Sequence, residues 1–202
     1  MILKQFNFDG CLSYIVACEK EKAGVIIDPS HETEPFLQFV AANGLRILYV
    51  IDTHTHVDHI SLTPELADHL GAQTVMYAGV KEQRAIGKTV TDLFGIEKII
   101  AENGEKRIDL LVNDQEKLVT GNIAFTVMFT PGHTRDAISL VTSHHIFSGD
   151  TLLIGQCGRT DLPGGSYVDM HTSLFGTIAR LPDDLVVYPA HDYKGNINSS
   201  LG

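Results

Sequence analysis

A layered α/β sandwich is the fold class this sequence predicts. Three observations carry that reading. Apolar runs of strand length recur in both halves of the chain. Segments with helix start and stop signals lie between them. No linker-like or low-complexity stretch divides the chain, so residues 1–202 read as a single domain.

The elements follow in order. Ile2–Phe8 and Cys11–Cys18 are strands joined by Asp9-Gly10, a hairpin turn signal. Gly24–Ile27 is a third strand, ended by Asp28-Pro29. Glu34–Asn43 carries Phe36, Leu37, Phe39 and Val40 and is followed by Gly44, which predicts a helix and its stop. Ile47–Ile51 is a strand, Leu62–Leu70 a helix with Pro64 early and Gly71 just past its end, and Thr74–Tyr77 a strand. From Gly79 to about Lys117 the chain is charged, with scattered apolar residues, and predicts a helical or partly irregular insertion. Strand signals resume at Leu118-Val119 and Ile123–Phe129, on either side of Gly121-Asn122, and continue at Ile138–Thr142 and His145–Ser148. Met170, Leu174 and Ile178 recur four apart and predict a helix over Val168–Leu181. Leu185–Tyr188 is the last strand, closed by Pro189.

Bulk properties exclude several function classes. A formal net charge of −10 works against nucleic acid or anionic lipid as a partner, since both require basic surface. No apolar run is long enough to span a membrane. The first residues lack a charged segment followed by a long apolar one, so no signal peptide is expected. Three unclustered cysteines (Cys11, Cys18 and Cys157) make neither a disulfide framework nor a Cys-x-x-Cys metal site. Together these point to a cytoplasmic protein acting on a small molecule, alone or as a homodimer.

The chemistry is concentrated in Thr53-His54-Thr55-His56-Val57-Asp58-His59, directly after an apolar run. Histidine is the commonest metal ligand, and a buried strand emptying into such a loop aims several ligand atoms at one place. Three more apolar runs end in the same way, at Pro131-Gly132-His133, at Ser148-Gly149-Asp150 and at Pro189-Ala190-His191. The isolated His31, His69 and His171 read as surface or structural residues, and His144-His145 marks a turn. The set His54, His56, Asp58, His59, His133, Asp150 and His191 suits two arrangements. His54, His56 and His133 would hold one divalent ion and Asp58, His59 and His191 a second, with Asp150 between them. Two such ions about 3.5–4 Å apart favour hydrolysis. Alternatively, two histidines and one carboxylate hold a single Fe(II) with open positions, which favours O₂ chemistry. Spacing alone does not choose between them.

These residues resemble the metallo-β-lactamase superfamily. His54-Thr-His56-Val-Asp58-His59 matches its H-x-H-x-D-H signature, and the three later motifs match its remaining ligand motifs in order, from about Leu3 to Tyr193. The resemblance implies a four-layer αβ/βα sandwich with the metal site along one edge of two facing sheets, and places the insertion around 79–117 where relatives carry lids. Gly149–Asp161, with its Cys157-Gly158-Arg159-Thr160-Asp161, is most similar to the persulfide dioxygenases. Glyoxalase II shares Cys-Gly-Arg but continues differently. The dioxygenase resemblance implies one Fe(II) held by His54, His133 and Asp150, with His56, Asp58, His59 and His191 in support or as a vacant second site. It also implies a small thiol-derived substrate placed by Tyr193 and Arg159, although Arg159 pairing with Asp161 or Asp150 is an equal alternative. The runner-up is a two-zinc hydrolase cleaving a thioester or ester, in which Asp58 orients the attacking water or accepts its proton.

Overall fold

The computed structural model describes residues 1–87, 99, 102, 103 and 106–202. Its first sheet holds β1 (Ile2–Phe8), β2 (Cys11–Ala17), β3 (Ala23–Ile27), β4 (Arg46–Ile51), β5 (Gln73–Tyr77) and β6 (Leu110–Val112), in that spatial order. The second holds β7 (Lys117–Thr120), β8 (Ile123–Phe129), β9 (Ile138–Val141), β10 (His145–Gly149), β13 (Val186–Pro189) and β14 (Ser199–Ser200), neighbours running β14-β13-β10-β9-β8-β7. A small hairpin, β11 (Leu152–Leu153) with β12 (Gln156–Cys157), follows β10.

Alternation along the strands builds the layers. In β2, Leu12, Tyr14 and Val16 face the second sheet and pack with Phe125, Val127, Leu140 and Phe147. Their neighbours Ile15 and Ala17 face the other way and pack with Phe36 and Val40 of α1 (Glu34–Asn43) and Leu66 and Ala67 of α2 (Thr63–Leu70). On the far face of the second sheet, Ile146, Leu185 and Val187 pack against Ile178. The result is the four-layer αβ/βα sandwich.

Asp9 and Gly10, with φ of 52° and 95°, make the hairpin turn that the sequence predicts. The predicted helix over Val168–Leu181 is divided. A short α4 (Tyr167–His171) opens into a π-helical turn at Thr172–Thr177 and closes as a 3₁₀ turn at Ile178–Arg180. The wide turn lets the Ser173 hydroxyl reach the Pro131 carbonyl at 2.6 Å, which ties the helix to the His133 loop.

The insertion contains α3 (Val80–Gly87) and then β6, which pairs in parallel with β5. Leu110–Val112 is therefore a sheet strand and not part of an irregular excursion. The insertion's remaining apolar positions, Val90, Leu93, Phe94, Ile96 and Ile100, lie outside the described residues. No described helix is long and apolar enough to cross a membrane.

Candidate metal centre

Four strand ends deliver the ligand candidates: β4 to His54–His59, β8 to His133, β10 to Asp150 and β13 to His191. His54, His133 and Asp150 come together, each buried, with one donor atom apiece within 4.8 Å of the others.

The hydrogen bonds fix the two imidazoles in the ligand tautomer. Thr53 Oγ1 gives its only proton to Asp28 Oδ2 at 2.8 Å, so toward His54 Nδ1, 3.0 Å away, it acts as an acceptor. His54 thus carries its proton on Nδ1 and bears a lone pair on Nε2. That Nε2 is buried and has no hydrogen-bond partner. His133 donates Nδ1–H to the Arg159 carbonyl at 2.9 Å, which leaves its Nε2 lone pair 3.5 Å from Asp150 Oδ2. Burial, then the charges of His56 and His133, hold His54 well below the ordinary imidazole range, so it is neutral. Burial alone would raise Asp150. The His191 hydrogen bond and the His191 charge outweigh it and keep the carboxylate ionised. Two imidazole Nε2 atoms, one of them orphaned, facing one carboxylate oxygen fit a divalent metal ion.

The other candidates are differently engaged. His191 donates from Nδ1 to Asp150 Oδ1 at 2.7 Å and from Nε2 to Asp58 Oδ2 at 2.8 Å. Burial opposes a charge on His191, but the bonds to Asp150, Asp58 and Cys11 outweigh it and hold the ring as an imidazolium. Asp58 lies well below the carboxylate range: burial works against this, and the His191 bond with the charges of His59, His56 and His191 prevails. His56 turns Nε2 toward Asp28 Oδ1 at 3.3 Å and Asp52 Oδ1 at 3.9 Å. Burial would lower its pKa; the Asp28 bond and charge, then Asp52 and Asp58, raise it to about 9. His59 groups with Asp58 and His56, and burial followed by the His56 charge lowers it to about 3.

A buried carboxylate network that sequence reasoning missed holds the loop. Asp28 accepts from Thr53 N and Oγ1, Asp136 from Thr55 N and Oγ1, and Asp52 from Ser61 and Thr63 hydroxyls. The available signal was the alternation Thr53-His54-Thr55-His56, which sets each hydroxyl beside an imidazole. From the insertion, buried Asn103 donates to the carbonyls of His56 and His59, both at 2.9 Å, and accepts from Ser61 N at 3.0 Å. Gln83 of α3 bridges Arg135 N and the Pro163 carbonyl, bracing the His133 loop.

A pocket of about 560 Å³ opens onto the centre, lined by Asp58, His133, Asp150 and His191 on one side and by Val57, Leu153 and Leu162 among others. Tyr193, exposed and stacked on His191 with ring centroids 5.8 Å apart, and Arg159 stand at it. Arg159 makes two bonds to the Asp161 carboxylate at 2.7 and 2.8 Å. The Cys157-Gly158-Arg159 segment also shapes the metal site. Gly158 donates to the Asp150 carbonyl at 3.0 Å, and a Cβ on it would stand 2.0 Å from that oxygen, so only glycine fits there.

The family profile for the metallo-beta-lactamase superfamily matches residues 6–191. The chain belongs to that superfamily. Among its relatives in the superfamily, mitochondrial persulfide dioxygenase ETHE1 of Homo sapiens is 32% identical over 186 residues, covering 91% of this chain and 64% of that protein. The chain thus spans just under two thirds of that relative's length. Hydroxyacylglutathione hydrolase of Pelagibacter ubique is 29% identical, over 90% of this chain and 66% of its own. The crystal structure of ETHE1 from Myxococcus xanthus superposes with a TM-score of 0.83 at 30% identity, covering all of this chain and 80% of that one.

Proposed function

We propose that the protein is an Fe(II)-dependent dioxygenase that oxidises a low-molecular-weight thiol persulfide. In balance, R–S–SH, O₂ and water give R–SH, hydrogen sulfite and a proton: the terminal sulfur is oxidised, O₂ is reduced, and the S–S bond breaks. One observation carries this reading. His54 Nε2, His133 Nε2 and Asp150 Oδ2 converge as a two-histidine, one-carboxylate set, while His191, which a second ion would need, is hydrogen-bonded through both nitrogens to Asp150 and Asp58. The persulfide dioxygenase relatives support it.

His54, His133 and Asp150 would hold the iron, which supplies the redox chemistry that lets O₂ react with sulfur. The chain's own residues do the rest. Thr53 and the Arg159 carbonyl keep both imidazoles with their lone pairs directed at the ion's place. The His191 imidazolium holds Asp58 and Asp150 in fixed orientation. Val57, Leu153 and Leu162 offer apolar surface to the substrate and exclude water from it. Tyr193 presents a hydroxyl at the rim. Arg159 would meet an anionic group on the thiol carrier by exchanging Asp161 for it. The three cysteines are free, as in a reducing compartment, and we place the protein in the cytoplasm.

An oxygen electrode tests the reading. Iron-loaded protein with glutathione persulfide should consume O₂ and release sulfite, and should contain one iron per chain. Absence of O₂ uptake would sink it. The second reading, a two-zinc thioesterase, is favoured by the full set of seven ligand residues and by the hydroxyacylglutathione hydrolase relative. Two zincs per chain with thioester cleavage would establish that instead.

A further inference from the structure

The β11–β12 hairpin is a wall with a recess on either side. One recess is the metal pocket. The other is a groove of about 360 Å³ that takes no part in the chemistry. Leu153, Gln156 and Cys157 line both, so the groove is continuous with the pocket over the hairpin edge. We propose that the thiol carrier of the substrate has an extended apolar tail, which crosses the hairpin and lies in this groove. The reacting group rests on the persulfide reading, whereas the tail rests on the groove.

The lining selects an apolar occupant. Leu152, Leu174, Val187 and Leu201 line the groove and belong to the apolar cluster of Ile146, Ile178 and Leu185. Leu152, Leu174 and Leu201 are only half-buried, so they leave apolar surface facing water. Covering that surface is favourable in proportion to its area. The polar side chains of the groove include Gln156, Ser199 and Ser200, which are uncharged, and no charged side chain lines it among the described residues. An anionic group belongs instead at Arg159, in the metal pocket. The two recesses thus suit an amphipathic thiol, with its charge near the sulfur and its tail away from it.

The hairpin is a fixed saddle between them. Ser148 Oγ donates to the Leu152 carbonyl at 2.6 Å, and Gly158 N donates to the Asp150 carbonyl at 3.0 Å, so both of its ends are tied beside Asp150. Leu152 pairs with Cys157 and Leu153 with Gln156. Gly155 makes the turn with a φ of 72°, and a Cβ there would meet nothing within 4 Å, so the crest is open for a chain to pass. A tail seated behind a wall that is joined to Asp150 sets the place of its own sulfur at the metal. Binding away from the reacting atoms is thereby used to orient them.

Binding of unreactive analogues tests the tail apart from turnover. The S-methyl thioethers of N-acetyl-, N-butanoyl-, N-hexanoyl- and N-octanoylcysteine carry a carboxylate near the sulfur, replace the terminal sulfur with a methyl group and differ only in the tail. Calorimetric titration into the full, iron-loaded chain without oxygen should show affinity rising about three- to fourfold for each added methylene. Ser200→Trp fills the groove from an exposed position and should flatten the series, leaving the N-acetyl compound within twofold of its wild-type affinity. No binding, a flat series in wild type, or a rise that Ser200→Trp leaves intact overturns the tail. So does a dimer on a sizing column that Ser200→Trp abolishes and the octanoyl compound does not disturb, which would give the groove to a second copy. The matching persulfides in an oxygen electrode keep the two readings apart. Binding of the long thioethers as expected, with no O₂ uptake from any persulfide, refutes the dioxygenase and leaves the groove. O₂ uptake with equal KM for short and long persulfides refutes the tail and leaves the dioxygenase.

Discussion

Thr53→Val isolates the step on which the metal centre depends. The substitution replaces the hydroxyl with a methyl group of similar size in a fully enclosed place. It removes the 2.8 Å bond to Asp28 and the acceptor for His54 Nδ1–H, but keeps the 2.7 Å bond from Thr53 N to Asp28 Oδ1. Loss of a buried hydrogen bond to a charged group costs about 1.5–3 kcal/mol. For a domain of this size that lowers Tm by about 3–12 °C. The second effect is specific to the site. With no acceptor at Nδ1, His54 can put its proton on Nε2, the atom meant for the metal. Loss of such an orienting partner lowers metal affinity roughly 10–100-fold. Thr53→Ser restores both bonds and should recover most of the affinity. Competitive metal titration against a chromophoric chelator, run beside thermal melts, separates the two effects. If Thr53→Val loses stability but holds metal within twofold of wild type, the tautomer argument is wrong.

Five further outcomes are expected. Asn103→Ala removes the partner of two carbonyls and one amide of the histidine loop, three bonds worth about 2–4 kcal/mol together, measurable by urea unfolding; an unchanged midpoint would mean that the insertion does not brace the loop. Gly158→Ala drives a methyl into the Asp150 carbonyl, so the folded protein should retain less metal by elemental analysis, and full occupancy would contradict the packing argument. In metal-free protein, His56 at about 9 against about 6.5 unfolded adds stability that is complete below pH ~6.5 and is lost as pH rises through about 9; denaturation curves across that window should show the loss, and His56→Asn should not. Asp58 and Asp150, both depressed, act oppositely, and their contribution disappears as pH falls below the ordinary carboxylate range. Arg159→Ala should leave Tm unchanged, since its ion pair is exposed, while raising KM for an anionic persulfide severalfold with kcat nearly constant.

Much of the fold was legible because the strands obey simple alternation. Leu12–Ala17 shows the rule: Leu12, Tyr14 and Val16 face the second sheet, Ile15 and Ala17 the helices, and burial on both sides leaves Ser13 as the one polar residue of the run. Leu110–Val112, Gln156–Cys157 and Ser199–Ser200 were not legible, because two or three residues hold no period and their pairing is decided by the neighbouring strand. The helix over Val168–Leu181 was legible as apolar spacing but not as a π-helical turn, which accompanies a distant bond from Ser173 to Pro131. At the site, the ligands announce themselves as clustered histidines, whereas Asp28, Asp52 and Asp136 look like ordinary turn aspartates. Asp136 meets Thr55 across 81 residues of sequence, and no local pattern encodes that.

The seven candidate ligand residues by themselves do not determine how many ions the centre takes. Every imidazole offers one nitrogen to a metal only if a neighbour does not claim it first. In this chain, Thr53 and the Arg159 carbonyl claim the far nitrogens of His54 and His133, which frees their near ones. Asp28 and Asp52 face His56 Nε2 at 3.3 and 3.9 Å, and Asp58 with Asp150 claim both nitrogens of His191. A residue can thus remain in the motif and still be withheld from coordination by a carboxylate behind it. The metal count should therefore depend on carboxylates both inside the motif, Asp58 and Asp150, and outside it, Asp28 and Asp52. Moving Asp28 should alter it more than exchanging one histidine for another. Asp28→Asn weakens the hold on His56 and, through Thr53 Oγ1, also disturbs His54, so the second-ion affinity is read with the first site saturated. If this argument is right, that variant should bind a second ion more tightly than wild type in equilibrium dialysis, and a second-ion affinity equal to wild type's would refute it.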